Sequence, residues 1–84
     1  MADAPKSFFL TKPVHDYLVA HAPPLDDEQR DLIAETEALG GISMMQIAPE
    51  QGAFMTLLTR LIGARRAIEV GTFTGYSAIS IARG

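Results

Sequence analysis

One short segment decides most of what this chain can fold into. Ala67-Ile68-Glu69-Val70 is largely apolar and partly β-branched, and it reads as a strand buried on both faces. The other apolar residues recur at helical spacing. A strand flanked by helices belongs in a parallel α/β sheet, where its edges need partner strands. No second convincing strand is present. A buried, unpaired N–H or C=O costs roughly 1–3 kcal/mol. A single core in a chain of 84 residues supplies only ~3–5 kcal/mol of net stability. Two or three orphaned groups would therefore unfold it. The sequence predicts an incomplete α/β domain, with more chain following Gly84 or a partner strand from another molecule.

Nothing in the composition staples such a piece together. There is no cysteine, which excludes disulfides, thiolate metal clusters and a cysteine nucleophile. A net charge of −3 and a pI near 5.1 argue against a nucleic-acid partner, which needs a basic face. No apolar run approaches the roughly 20 residues of a membrane span. The start, Met1-Ala2-Asp3-Ala4-Pro5-Lys6, lacks the pattern of a signal peptide. A cytoplasmic protein with neither membrane nor nucleic-acid partners is the expectation.

Helix signals are clear. Residues 1–12 read as an N-terminal arm, and residues 13–84 as the N-terminal part of a single, incomplete domain. Val14, Tyr17 and Leu18 form a helical face from Pro13 to about His21, ended by Pro23-Pro24. Asp26 and Gln29 form a capping-box pair, and Asp27 and Glu28 suit the positive first turn of a second helix. Leu32, Ile33, Thr36 and Leu39 make its inward stripe, and Gly40 stands where a left-handed residue ends it. After a loop with Met44 and Met45 as gap-fillers, Pro49 opens a third helix. That helix is expected to bury Phe54, Leu57, Leu58, Leu61 and Ile62 before stopping at Gly63.

The strand runs into Gly71-Thr72-Phe73-Thr74-Gly75, and a fourth helix opens at Tyr76. Glycine permits a sharp turn and close approach of a ligand, and a helix start offers free N–H groups to an anion. The spacing is G-x-x-x-G, neither the dinucleotide fingerprint nor a P-loop. On spacing alone, a generic turn and a cofactor loop stand equal. Glu69 reads either as a ligand-facing acid or as a partner of Arg65 or Arg66. Ser77 reads either as a ligand contact or as a helix cap. Tyr76 and Phe73 read as packing. His15 and His21 lie six apart without a third ligand, so no metal site is assigned to them.

Met45-Gln46-Ile47-Ala48-Pro49-Glu50-Gln51-Gly52-Ala53-Phe54, then Leu57-Leu58, then Ala67 to Ser77, together resemble the caffeoyl-CoA O-methyltransferase-like family. Tyr17-Leu18 and Leu32 to Glu37 extend the resemblance over nearly the whole chain, as the N-terminal fragment of a bacterial member. The resemblance implies a class I methyltransferase, Rossmann-like α/β fold, of which this chain would hold the N-terminal helices, the first strand and the start of the next helix. It implies S-adenosyl-L-methionine as cofactor, and methyl transfer to a hydroxyl of a small, catechol-like acceptor. Carried onto this sequence, Ile47, Glu69, Gly71, Thr72 and Ser77 become cofactor-binding residues and Lys6 a substrate contact. A divalent metal (Mg2+ or Ca2+) and a homodimer are implied for the full-length parent, but no metal ligand or catalytic residue falls on this chain. The fragment alone is expected to be inactive. The alternative is a non-catalytic interaction or oligomerisation module derived from the same N-terminus.

Overall fold

The computed structural model of the protein describes residues 9–84, so Lys6 lies outside the described residues. Four α-helices and one 3-10 helix follow in order: α1 (Lys12–His21), α2 (Asp27–Glu37), the 3-10 helix (Gly40–Met45), α3 (Pro49–Leu61) and α4 (Tyr76–Arg83). The local signals act where they stand. Pro13 sits in the first turn of α1, and Ala22, just before Pro23, is extended at φ −78° and ψ 161°. Asp26 accepts from Gln29 N at 2.9 Å while Gln29 Oε1 accepts from Asp26 N at 3.1 Å, which completes the capping box of α2. Gly40 and Gly63 take φ 86° and 64° beyond the ends of α2 and α3. The stretch read as a plain loop contains the 3-10 helix.

The α/β expectation fails for this chain. Among the described residues there is no strand and no sheet; every regular element is helical. The expected first strand, residues 67–70, is irregular, with Ile68 94% and Val70 95% exposed. The Rossmann-like core predicted by resemblance is therefore not what these residues form. A strand exists only as one side of a hydrogen-bonded ladder, and none of the described residues supplies the other side. β-branched composition marks a segment that suits a pleated surface; it does not create one.

Packing departs from expectation for the same reason, a shortage of partners. The buried side chains are mostly polar: His15, Thr36, Ser43, Gln46 and Ser80, beside the apolar Ala48 and Tyr76. The tightest seam joins α3 to α4 along small residues. A Cβ at Gly52 would lie 2.7 Å from both Ser80 Oγ and Tyr76 Cε1, and one at Gly84 would lie 2.4 Å from Thr59 Cβ. Thr56 Oγ1 donates to Ser80 O at 2.6 Å across that seam, and Arg60 Nη2 donates to Arg83 O at 3.2 Å. The apolar face of α3 points away from the seam. Phe54, Leu57, Leu58, Leu61 and Ile62, expected to be buried, are exposed, Leu61 at 76%.

The gap-filling role expected of Met44 and Met45 fails too, since both are exposed. In α1 the buried residue is His15, 1% exposed, while Val14, Tyr17 and Leu18 face outward. His15 Nδ1 lies 3.8 Å from Glu50 Oε1 in the first turn of α3, where the two helices meet. Arg83 reaches back to Asp26 and lies 3.6 Å from Glu28, tying α4 to the start of α2.

Candidate functional site

The glycine turn is a left-handed stretch of backbone leading into α4. Gly71, Phe73 and Gly75 take φ 76°, 53° and 102°, and Gly75 N donates to Thr72 O at 3.0 Å. Gly75 is the N-cap of α4 and no side chain caps it. The first-turn N–H groups of α4, like those of any helix start, have no intrahelical acceptor, and here no side-chain cap takes their place. Phe73 is the one non-glycine residue at positive φ among those described; the left-handed region costs a side chain about 1–2 kcal/mol.

Glu69 and Ser77 come together. Ser77 Oγ donates to Glu69 Oε2, so Ser77 is not a helix cap. Among the described residues no ion pair joins Glu69 to Arg65 or Arg66. The other carboxylate oxygen, Glu69 Oε1, is buried and makes no hydrogen bond. Gly71 and Thr72 are exposed on the turn, and Ile47 is half-buried just after the 3-10 helix. Glu69 also borders a cleft of about 330 Å3 between the 64–69 segment and α4, with Arg65, Ala78 and Ile81 on its walls. Of the expected site residues among those described, only Glu69 lines that cleft.

Three residues around the turn escaped the sequence reading as functional candidates. Thr36 Oγ1 accepts from Gln46 Nε2 at 3.1 Å and donates to Thr74 Oγ1 at 2.8 Å. The helical stripe containing Thr36 was visible, but its partners stand 10 and 38 residues away in sequence. Among the described residues, no group of three His, Cys, Asp or Glu side chains stands close enough to hold a metal ion. No described helix is long and apolar enough to cross a membrane.

Tyr76 opens α4 with its ring against Gly52 and is 3% exposed. Its hydroxyl is buried without a hydrogen-bond partner. Burial first, then the carboxylates of Asp26 and Glu50, raise its pKa, and Arg83 works the other way. A phenol with a raised folded pKa contributes stability that is complete below the unfolded value of about 10 and is lost as pH climbs through the folded value. Unfolding by urea, followed by circular dichroism, should show a midpoint that falls above about pH 10. Tyr76→Phe should weaken that alkaline fall and, by deleting an unpaired buried hydroxyl, leave the neutral midpoint equal or higher. An identical alkaline fall in the variant would rule out this assignment.

A carboxylate with one unsatisfied oxygen, a hydroxyl bonded to it and an uncapped helix start define a turn able to take an ammonium and a carboxylate from one small ligand. The chain belongs to the O-methyltransferase family, whose model matches residues 22–84. It is 43% identical over 49 residues to a caffeoyl-CoA O-methyltransferase of Populus kitakamiensis, covering 58% of this chain and 21% of that protein. A probable caffeoyl-CoA O-methyltransferase 3 of Dictyostelium discoideum is 35% identical over 74 residues, covering 87% of this chain and 30% of the relative. A catechol O-methyltransferase of Niastella koreensis is 40% identical over 58 residues, covering 67% of this chain and 26% of the relative. The chain thus spans between 21% and 30% of the length of these relatives. No solved structure matches it significantly.

Proposed function

We propose that residues 69–77 seat the amino-acid end of S-adenosylmethionine, and that residues 13–84 are the N-terminal part of a methyltransferase domain acting on a hydroxyl of a small, catechol-like acceptor. The observation that carries this reading is Glu69, its Oε1 buried and unbonded and its Oε2 bonded to Ser77, at the start of an uncapped helix. Glu69 would hold the ammonium. The first-turn N–H groups of α4, together with the Ser77 hydroxyl once its proton turns from Glu69 to the ligand, would hold the carboxylate, with the backbone of Gly71 and Thr72 and the side chain of Ile47 against the rest. The cofactor, when bound, supplies the methyl group on a sulfonium. What this chain contributes is orientation: left-handed residues bring the turn close, and two side chains of opposite hydrogen-bonding character distinguish the ends of a zwitterion.

The divalent metal implied by resemblance finds no set of ligands among the described residues. The same proposal makes the full-length parent a cytoplasmic homodimer. The 84-residue chain, lacking most of its relatives' length, is expected to transfer no methyl group.

Titration of the chain with S-adenosylmethionine, followed by amide chemical shifts, tests the reading. Shifts confined to residues 69–78 and the stretch around Ile47, with weak, millimolar affinity, are the expected outcome. Glu69→Ala should weaken binding about tenfold, the worth of a charge-assisted hydrogen bond. A flat titration at saturating cofactor, or shifts clustered on α1, would exclude it. One observation favours a second reading, an interaction module: the uncovered apolar stripe of α3. Light scattering separates the two, because a stable oligomer without cofactor affinity supports only the module.

A further inference from the structure

We infer that Thr36 is a positioning residue for the glycine turn: its buried hydroxyl joins the turn, through Thr74, to the segment carrying Ile47, through Gln46. This rests on the reading that the turn seats the cofactor, and it adds a residue that touches no ligand. Thr36 is 1% exposed on α2, with its hydroxyl between Gln46 Nε2 at 3.1 Å and Thr74 Oγ1 at 2.8 Å. An amide N–H can only donate, so Thr36 accepts from Gln46, and the Thr36 hydroxyl donates in turn to Thr74 Oγ1. Hydrogen bonds aligned in this way polarise and strengthen one another.

The position of Thr74 gives the bond its consequence. Thr74 lies between Phe73 at φ 53° and Gly75 at φ 102°, in a turn closed by a backbone bond from Gly75 N to Thr72 O. A left-handed side-chain residue persists only where surrounding structure holds it. The Thr36 hydroxyl supplies such a hold from a different helix. Through Gln46 the same oxygen is linked to the residue preceding Ile47, so the two stretches expected to face the cofactor share one anchor. Valine has nearly the shape of threonine and fills the same space, but it breaks both bonds. Serine keeps both.

Amide hydrogen exchange on the full 84-residue chain, with no cofactor present, tests this. The probe is Gly75 N–H, and the internal reference is Ile62 N–H, bonded to Leu58 O at the end of α3. With Thr36→Val, Gly75 exchange should rise about fivefold to tenfold relative to Ile62. Thr36→Ser should bring it back to within about twofold of the parent. Unchanged Gly75 exchange in the valine variant, an equal effect of serine, or Gly75 and Ile62 rising together would each overturn the assignment. If Thr36→Val does not fold, Thr74→Val breaks the same bond from the turn side and must give the same selective rise; its absence is equally fatal. Because cofactor takes no part, a selective rise together with a flat S-adenosylmethionine titration would remove the cofactor reading and leave the anchor standing.

Discussion

Gly52→Val is expected to leave the chain largely unfolded at room temperature. The seam between α3 and α4 has no room at this position: even a bare Cβ would stand 2.7 Å from Ser80 Oγ and 2.7 Å from Tyr76 Cε1. Neither neighbour moves freely. Ser80 is 0% exposed, with Oγ bonded to Tyr76 O at 2.9 Å, and Tyr76 is 3% exposed. Forcing extra carbons into such a contact costs about 1–3 kcal/mol and sometimes more. That approaches the whole ~3–5 kcal/mol available to a core of this size. Gly52→Ala carries a compensating gain of about 1 kcal/mol from helix propensity and should be milder. Adding Ser80→Ala removes one of the two colliding atoms. The double variant should be less destabilised than the sum of the singles. Thermal melts by circular dichroism decide it; a Gly52→Val melt matching the parent would show that α4 does not dock on this face.

The second large effect is expected at Asp26, where one carboxylate serves two purposes. Oδ1 accepts from Gln29 N at 2.9 Å and caps α2, while Oδ2 accepts from Arg83 at the far end of the chain. Asp26→Ala removes both and should cost about 1–2 kcal/mol, most of it from the lost cap. Asp26→Asn keeps a capping oxygen and removes the charge. The ion-paired side chains are 34% and 40% exposed, so solvent screening limits that share to under about 1 kcal/mol. Urea midpoints should therefore rank parent, asparagine, alanine. The asparagine deficit should shrink at high salt while the alanine deficit persists. Equal losses in the two variants would mean that the long-range ion pair, and not the cap, holds α2 in place.

The expected site was legible as a stretch of chain, less so as an arrangement. Glu69, Gly71, Thr72 and Ser77 could be singled out because the family resemblance falls on them; the spacing of the glycine pair and the helix start alone left a generic turn and a cofactor loop equal. That Ser77 donates to Glu69 was not written there, since hydroxyl and carboxylate each had a plausible local alternative. Thr36 shows the limit more plainly. It read as one inward position of α2, which it is, yet its hydrogen-bond partners could not be read from spacing.

The sequence by itself determined where the helices begin and end. Proline at helix starts, the Asp26–Gln29 exchange and glycines at positive φ act within one turn of backbone, so neighbouring residues suffice to specify them. The tertiary structure decided which faces are covered. α3 buries its small-residue edge against α4 and leaves its leucines in water, α1 buries a histidine, and Ile68 and Val70 stay unpaired. Burial and strand pairing belong to two surfaces at once, and only the fold states which second surface is present.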